Sequence, residues 1–218
     1  MSLRGKPTLF NTDMVRAILD GRKTVTRRVA KTTINKGEPV SHAVCNSVYY
    51  PTANKDGVCA NFYDIYGFYR GAAKPPYQPG DILYVRETWN SIRFGNGGKV
   101  PFHTEYWYKA DDTSKNPDDK WRPSIHMPKA AARIFLRVTN VRVERLQDIT
   151  LEDCMKEGIS KEEIAERDSI LPKASARWLF EQLWDSTIKP TDRALYGWAA
   201  NPWVWVIEFE PISREEVT

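Results

Sequence analysis

Residues 21–28 read Gly-Arg-Lys-Thr-Val-Thr-Arg-Arg, and they follow a stretch whose apolar positions, Met14, Val15, Ile18 and Leu19, fall at helical spacing. A helix that stops there and a strand that starts there need a sharp change of direction. Gly21 supplies it, because glycine readily takes the positive φ that closes a helix. Asn11 or Thr12 provides the cap at the other end. On a regular strand Lys23 and Thr26 would lie on opposite faces, since faces alternate with period two. They share a pocket only if the chain turns between them. The expectation is therefore Lys23 on the turn and Thr26 on the strand, with Arg22, Arg27 and Arg28 around them.

Residues 24–30 are rich in β-branched side chains and predict the strand. Pro79-Gly80-Asp81 predicts a tight turn, and residues 82–87 alternate as a strand behind it. Further strands are expected over 102–109, 132–146 and 203–209. The alternation of the second changes phase at Thr139-Asn140, which marks a bend or bulge. Residues 90–98 and 111–120 read as loops. Thr150 opens a helix with Asp153 in the place a capping box gives to Glu, and Gly158 ends it. A second helix follows from Ser160, and a third over 175–185 sets Trp178, Leu179, Leu183 and Trp184 on one stripe. Residues 31–77 are polar and weakly periodic, and read as an insertion with a hairpin about 58–69; residues 90–121 read as a second insertion. No internal repeat is evident. Strands with helices clustered between them predict an α+β fold around a small β-barrel, one domain over residues 1–218.

A hydrophobic content of 41% over 218 residues is enough for a substantial core. The formal charge of +4 suits a polyanionic partner but lacks the Lys/Arg tracts of a dedicated duplex binder. Three cysteines, Cys45, Cys59 and Cys154, are an odd number and argue against a disulfide framework, which points to a reducing, cytoplasmic setting. No apolar run reaches membrane-spanning length and no signal-peptide core opens the chain, so no membrane association is expected. His42, Cys45 and Cys59 lack zinc spacing and fall one ligand short of a structural site, so neither metal nor cofactor is expected. His126 is either a polar lining residue or an incidental loop histidine.

Four segments in this order resemble the ASCH domain family of the PUA-like superfamily, in its larger phage- or prophage-encoded members. They are residues 21–28, which match a Gly-x-Lys-x-x-Thr/Glu-x-Arg signature, then 79–89, 146–159 and 201–209. The resemblance implies a pseudo-barrel with a cleft beside the helix-to-strand junction, and a role in RNA or modified-nucleoside chemistry. The family includes a compact bacterial N4-acetylcytidine amidohydrolase with the segment Gly-Arg-Lys-Thr-Ile-Thr-x-Arg. Carried over residue by residue, its catalytic lysine, threonine and glutamate fall on Lys23, Thr26 and Glu157. This chain is longer, and its two insertions bear on the shape of the cleft.

Amide hydrolysis needs a nucleophile, a proton acceptor and a donor to the leaving amine, roles that Thr26, Lys23 and Glu157 can fill. Lysine acts as a base only when its pKa falls well below its usual value of about 10.4. Burial and the neighbouring arginines push that way, while Glu157 pushes back, and the nearer neighbour decides. Glu157 at a helix C-terminus opposes the helix dipole, which argues for a use elsewhere. Alanine at any of the three is expected to cut turnover by orders of magnitude and leave the thermal midpoint nearly unchanged. Arg22, Arg28, Arg86, Glu87 and Trp89 are the candidate substrate or RNA contacts. Arg86 and Glu87 alternate, so one turns inward, toward a ligand or an internal ion pair. Trp89, Trp203 and Trp205 offer either a stacking platform or core. Two functions compete: an amidohydrolase acting on an acylated nucleoside, and a non-catalytic module that grips RNA or a modified nucleotide.

Overall fold

A computed structural model describes residues 5–31, 33–34, 38–39, 47–49, 60–63, 66–95, 102–112, 120–168 and 175–217. The first seven strands are β1 (Lys6–Leu9), β2 (Val25–Val29), β3 (Thr33–Ile34), β4 (Glu38–Pro39), β5 (Ser47–Tyr49), β6 (Ala60–Tyr63) and β7 (Tyr69–Ala73). They are followed by β8 (Ile82–Arg86), β9 (Trp89–Phe94), β10 (His103–Tyr108), β11 (Phe135–Arg145) and β12 (Trp203–Ile212). The helices are α1 (Thr12–Leu19), α2 (Leu151–Lys156), α3 (Lys161–Asp168), α4 (Ser175–Thr187) and α5 (Arg193–Tyr196). The class is α+β, and the strand ladders among the described residues are open ones. Two units divide the chain: Met1–Gly21, Asp81–Arg137 and Glu210–Thr218 form one, Arg22–Gly80 and Val138–Phe209 the other.

In unit one, β1 runs parallel to β8, from Lys6 opposite Leu83 to Leu9 opposite Arg86. The start of β11 pairs antiparallel with β8 on its other side. Four residues that include a proline carry too little alternation to read as a strand. Pro7 is tolerated because β1 is an edge. The Asn11 side chain accepts from the Met14 amide at 2.8 Å and opens α1, and Gly21 with φ +73° closes the turn after it. Residues 90–94, expected in a loop, instead form most of β9, which pairs antiparallel with β10. That register puts Trp89 opposite Tyr108 and packs both, with Tyr106, around the core of Met127, Ala131, Ala132, Phe135 and Val217. Tertiary packing of one aromatic face sets the strand, a signal the polar Asn-Ser-x-Arg alternation conceals.

In unit two, β2 pairs antiparallel with β12 from Val25 opposite Glu208 to Val29 opposite Val204, and β12 lies next to β11. Burial along β11 slips phase at Thr139 and Asn140, both exposed, as the alternation predicted. Residues 31–77 hold a second sheet in the order β4-β3-β7-β6-β5, with the expected hairpin as β6 and β7. Thr150 accepts from the Asp153 amide at 3.1 Å to open α2, and Gly158 at φ +108° follows its end. Ser160 and Glu163 close a reciprocal capping box at the start of α3, with bonds of 3.0 and 2.7 Å. The buried stripe of α4 is Ala176, Phe180 and Trp184, spaced by four. Trp178, expected on that stripe, is at the surface, and Phe180 packs in its stead against Trp184 and Trp198. Truncating Phe180 to alanine would cost roughly 3–5 kcal/mol, because it belongs to the buried cluster with Val25, Val206, Leu146 and Cys154.

Candidate functional site

The end of α2 leaves backbone carbonyls without helical partners, and residues 22–24 supply donors to them one by one. Arg22 Nη1 donates to the Gly158 carbonyl, Lys23 Nζ to that of Glu157 at 2.8 Å, and the Thr24 amide to that of Lys156 at 2.9 Å. Two cations at a helix C-terminus also suit its dipole. From the other side the Phe209 amide donates to the Thr24 carbonyl at 2.9 Å. The junction read from residues 21–28 is thus stitched to both α2 and β12.

Lys23 is enclosed, its side chain 0% exposed. Its ammonium donates to the Val25 and Glu157 carbonyls, both at 2.8 Å, and to Glu157 Oε2 at 2.6 Å. Three protons meet three acceptors. The second carboxylate oxygen of Glu157 accepts from Arg27 Nη1 at 3.1 Å. Arg27 is equally enclosed and reaches Glu144 at 2.7 Å and Asp153 at 3.0 Å through Nη2. Arg142 ties Glu144, Asp153 and Glu208 together at the rim.

Burial pulls the Lys23 pKa below the ordinary lysine value; Glu157 opposes this by charge and hydrogen bond, and Arg28 and Arg27 add to the lowering. The balance that sequence left open therefore falls on the side of burial. For Arg27 burial also works against the charge, but Glu157 and Glu144 outweigh it and its pKa is raised.

Thr26 is buried, and its Oγ1 accepts from Arg28 Nη1 at 2.8 Å. Val25 joins the core with Phe180, and the Arg27 guanidinium lies 5.8 Å from the Phe180 ring, so that face of β2 looks to the helices. Thr26 and Arg28 take the opposite face. Lys23 and Glu157 are in direct contact; Thr26 is held by Arg28, whose charge acts on Lys23 and whose own pKa Glu157 influences. Because Lys23 and Glu157 are both buried, alanine at either leaves partners uncompensated. The expectation of an unchanged thermal midpoint gives way for these two. Arg27, Glu144 and Asp153 were not anticipated. The available signal was the spacing of Arg27, two residues after Val25 on an inward face, where a guanidinium requires carboxylates.

Arg86, Glu87 and Trp89 belong to unit one. Arg86 Nε donates to the Met127 carbonyl at 2.9 Å, and another of its nitrogens to that of Ile125. Glu87 is the inward one of the pair, gripped by Arg133 Nε and Nη2 at 2.9 and 3.0 Å. Trp89 is buried beneath Arg122 and beside Tyr106, so it serves the core. Trp205 is buried as well, while the half-buried Trp203 meets Phe62 edge-on and lies under Arg145. His126 is at the surface. His42, Cys45 and Cys59 lie outside the described residues. Comparison of the chain with family models, curated proteins and solved structures finds no match.

Proposed function

We propose that the chain is an amidohydrolase acting on an acylated nucleoside such as N4-acetylcytidine, built on a PUA-like barrel of the ASCH type. One observation carries the reading: a wholly enclosed lysine amine sits 2.6 Å from a buried carboxylate whose other oxygen is held by a second buried cation. Burial that lowers the lysine pKa makes the neutral amine accessible, and the proton it gives up has Glu157 Oε2 as a ready acceptor. The Arg28 donation to Thr26 Oγ1 leaves the hydroxyl proton free to depart and stabilises the developing alkoxide.

In the reaction, Thr26 Oγ1 attacks the acyl carbon while its proton passes to neutral Lys23. The C–N bond of the tetrahedral intermediate breaks, and the departing exocyclic amine takes that proton from the lysine, with Glu157 holding or relaying it. Water then adds to the threonine ester and Lys23 takes its proton; as the C–O bond to Thr26 breaks, Lys23 returns that proton to Oγ1, and acetic acid leaves and ionises to acetate. Arg22 and Arg28 are the substrate contacts on this unit.

A second reading is favoured by a specific observation, the saturation of all three Lys23 donors, which is also what a purely structural charge requires. The chain is then a binding module for RNA or a modified nucleotide, without turnover. Incubation with N4-acetylcytidine, followed for release of cytidine, separates the two when combined with RNA retention across a salt series. Turnover supports the hydrolase. Salt-sensitive retention without product replaces it with the binding module.

A further inference from the structure

We propose that the outer face of the β9–β10 hairpin carries a second binding site, for a planar nucleobase that presents an exocyclic amine. It does not depend on the Lys23 cluster. A cleft of about 460 Å³ is lined there by Asn90, Ile92, Trp107, Asp112, Trp121 and Arg133 among others, within the size range of small-molecule sites. The register that places Trp107 opposite Asn90 sets these two and Ile92 on one face. Trp89 packs into the core from the other, where Tyr106 and Tyr108 also border the cleft. Trp107 and Ile92 are left 39% and 51% exposed on the cleft side, a flat apolar surface suited to stacking. The Trp121 indole nitrogen is buried with no hydrogen-bond partner among the described residues, a donor that a ring acceptor would satisfy.

The walls are held before any ligand arrives. Arg16 Nε donates to the Ala110 carbonyl at 2.9 Å and its Nη2 to that of Asp112 at 3.2 Å, which pins the loop after β10. Lys109 bonds the Asp112 carboxylate at 3.1 Å and lies 5.1 Å from the Trp121 ring centre. Arg133 is fixed between Glu87 and Asp111, 3.9 Å over the Tyr108 ring. Glu87 is thus a positioning residue for this cleft. Such preorganisation favours a rigid ligand. The two aspartates of the polar edge are balanced by Arg133 and Lys109, and their carboxylate oxygens accept from amine hydrogens. The chemistry recognised is the base, whether of a free nucleoside or of a single strand.

The full chain is titrated with cytidine, uridine and a short single-stranded cytidine oligoribonucleotide, read by tryptophan emission and by calorimetry. Saturable binding of cytidine in preference to uridine is expected. Trp107→Ala should weaken it about tenfold or more at an unchanged thermal midpoint, and Asp112→Asn should erase the preference for cytidine. Tight binding of the free nucleoside, or of the oligonucleotide alone, identifies the source and supports the site either way. Absence of saturable binding by all three, or equal affinity in Trp107→Ala, overturns it. So do uridine binding as well as cytidine, and a concentration-dependent dimer abolished by Trp107→Ala, which would mean that a second copy covers this face.

Discussion

Glu157 in unit two and Glu87 in unit one are both buried carboxylates, each held through two oxygens by cations from distant segments, yet only Glu157 has a lysine among its partners. Glu87 faces Arg133, which keeps its charge under any ordinary condition and whose pKa Glu87 and Asp111 raise further against the effect of burial. Burial lifts the Glu87 pKa, and Arg133 opposes it by hydrogen bond and charge. Glu157 faces Lys23, whose pKa moves readily when water is excluded, and Arg27 steadies the carboxylate from behind. Glu87 thus pairs with a cation that does not titrate in the ordinary range, and Glu157 with one that can.

Lys23→Met keeps the length of the side chain and removes the amine, and it should have the largest effect. Turnover of N4-acetylcytidine is expected to fall by about 10²- to 10⁴-fold. Stability in urea should fall by roughly 3 kcal/mol, since Glu157 loses the closer of its two cations. The folded lysine pKa lies below its unfolded value of about 10.4, so the folded state holds fewer protons between the two. Wild-type stability should therefore rise with pH through that window, and the variant should lack this increment. A variant that turns over normally would make the Lys23 cluster a structural ion pair like that of Glu87.

Thr26→Val tests the same cluster with less disturbance. It preserves volume and β-branching on β2 and loses one hydrogen bond from Arg28, so stability should change by only about 1 kcal/mol. Turnover should be lost nonetheless, and Thr26→Ser should restore part of it. If Thr26→Val matches wild type in the cytidine-release assay, a water takes the place of the hydroxyl nucleophile.

The parts legible in the sequence were those fixed by local chemistry. The Asn11 cap, the Gly21 closure, the Thr150 to Gly158 helix and the phase slip at Thr139-Asn140 each depend on residues within one or two turns of each other. Lys23 and Glu157 came from motif resemblance, and the fold brings them into contact. What stayed hidden depends on partners far along the chain. β1 exists because β8 is beside it, β9 because Trp89 and Tyr106 share a core, and the role of Arg27 because Glu144 and Asp153 arrive from β11 and α2. No local pattern contains those neighbours.

Glu87→Gln sharpens the contrast from the other side. Arg133 keeps Asp111, so the loss should be roughly 1–3 kcal/mol, with turnover of N4-acetylcytidine unchanged. A parallel loss of activity would give the unit-one ion pair a part in the hydrolysis.

The smallest effect concerns Cys154, a buried thiol on α2 pushed up to about 11, chiefly by burial, with Arg27 lowering it and Glu157 and Asp153 raising it. At neutral pH its thiolate fraction is on the order of 10⁻⁴, so alkylation should run about two orders of magnitude slower than for a free thiol. Glu157→Gln removes one anion and should speed modification by a few-fold, whereas Glu87→Gln, in the other unit, should leave it unchanged. Because the thiol senses Arg27 and Glu157 by charge, its rate reports the charge state of the Lys23 cluster independently of any turnover assay. Equal rates in the native and urea-unfolded protein would mean that the cluster opens freely to water, and a lysine so hydrated would have no reason to give up its proton.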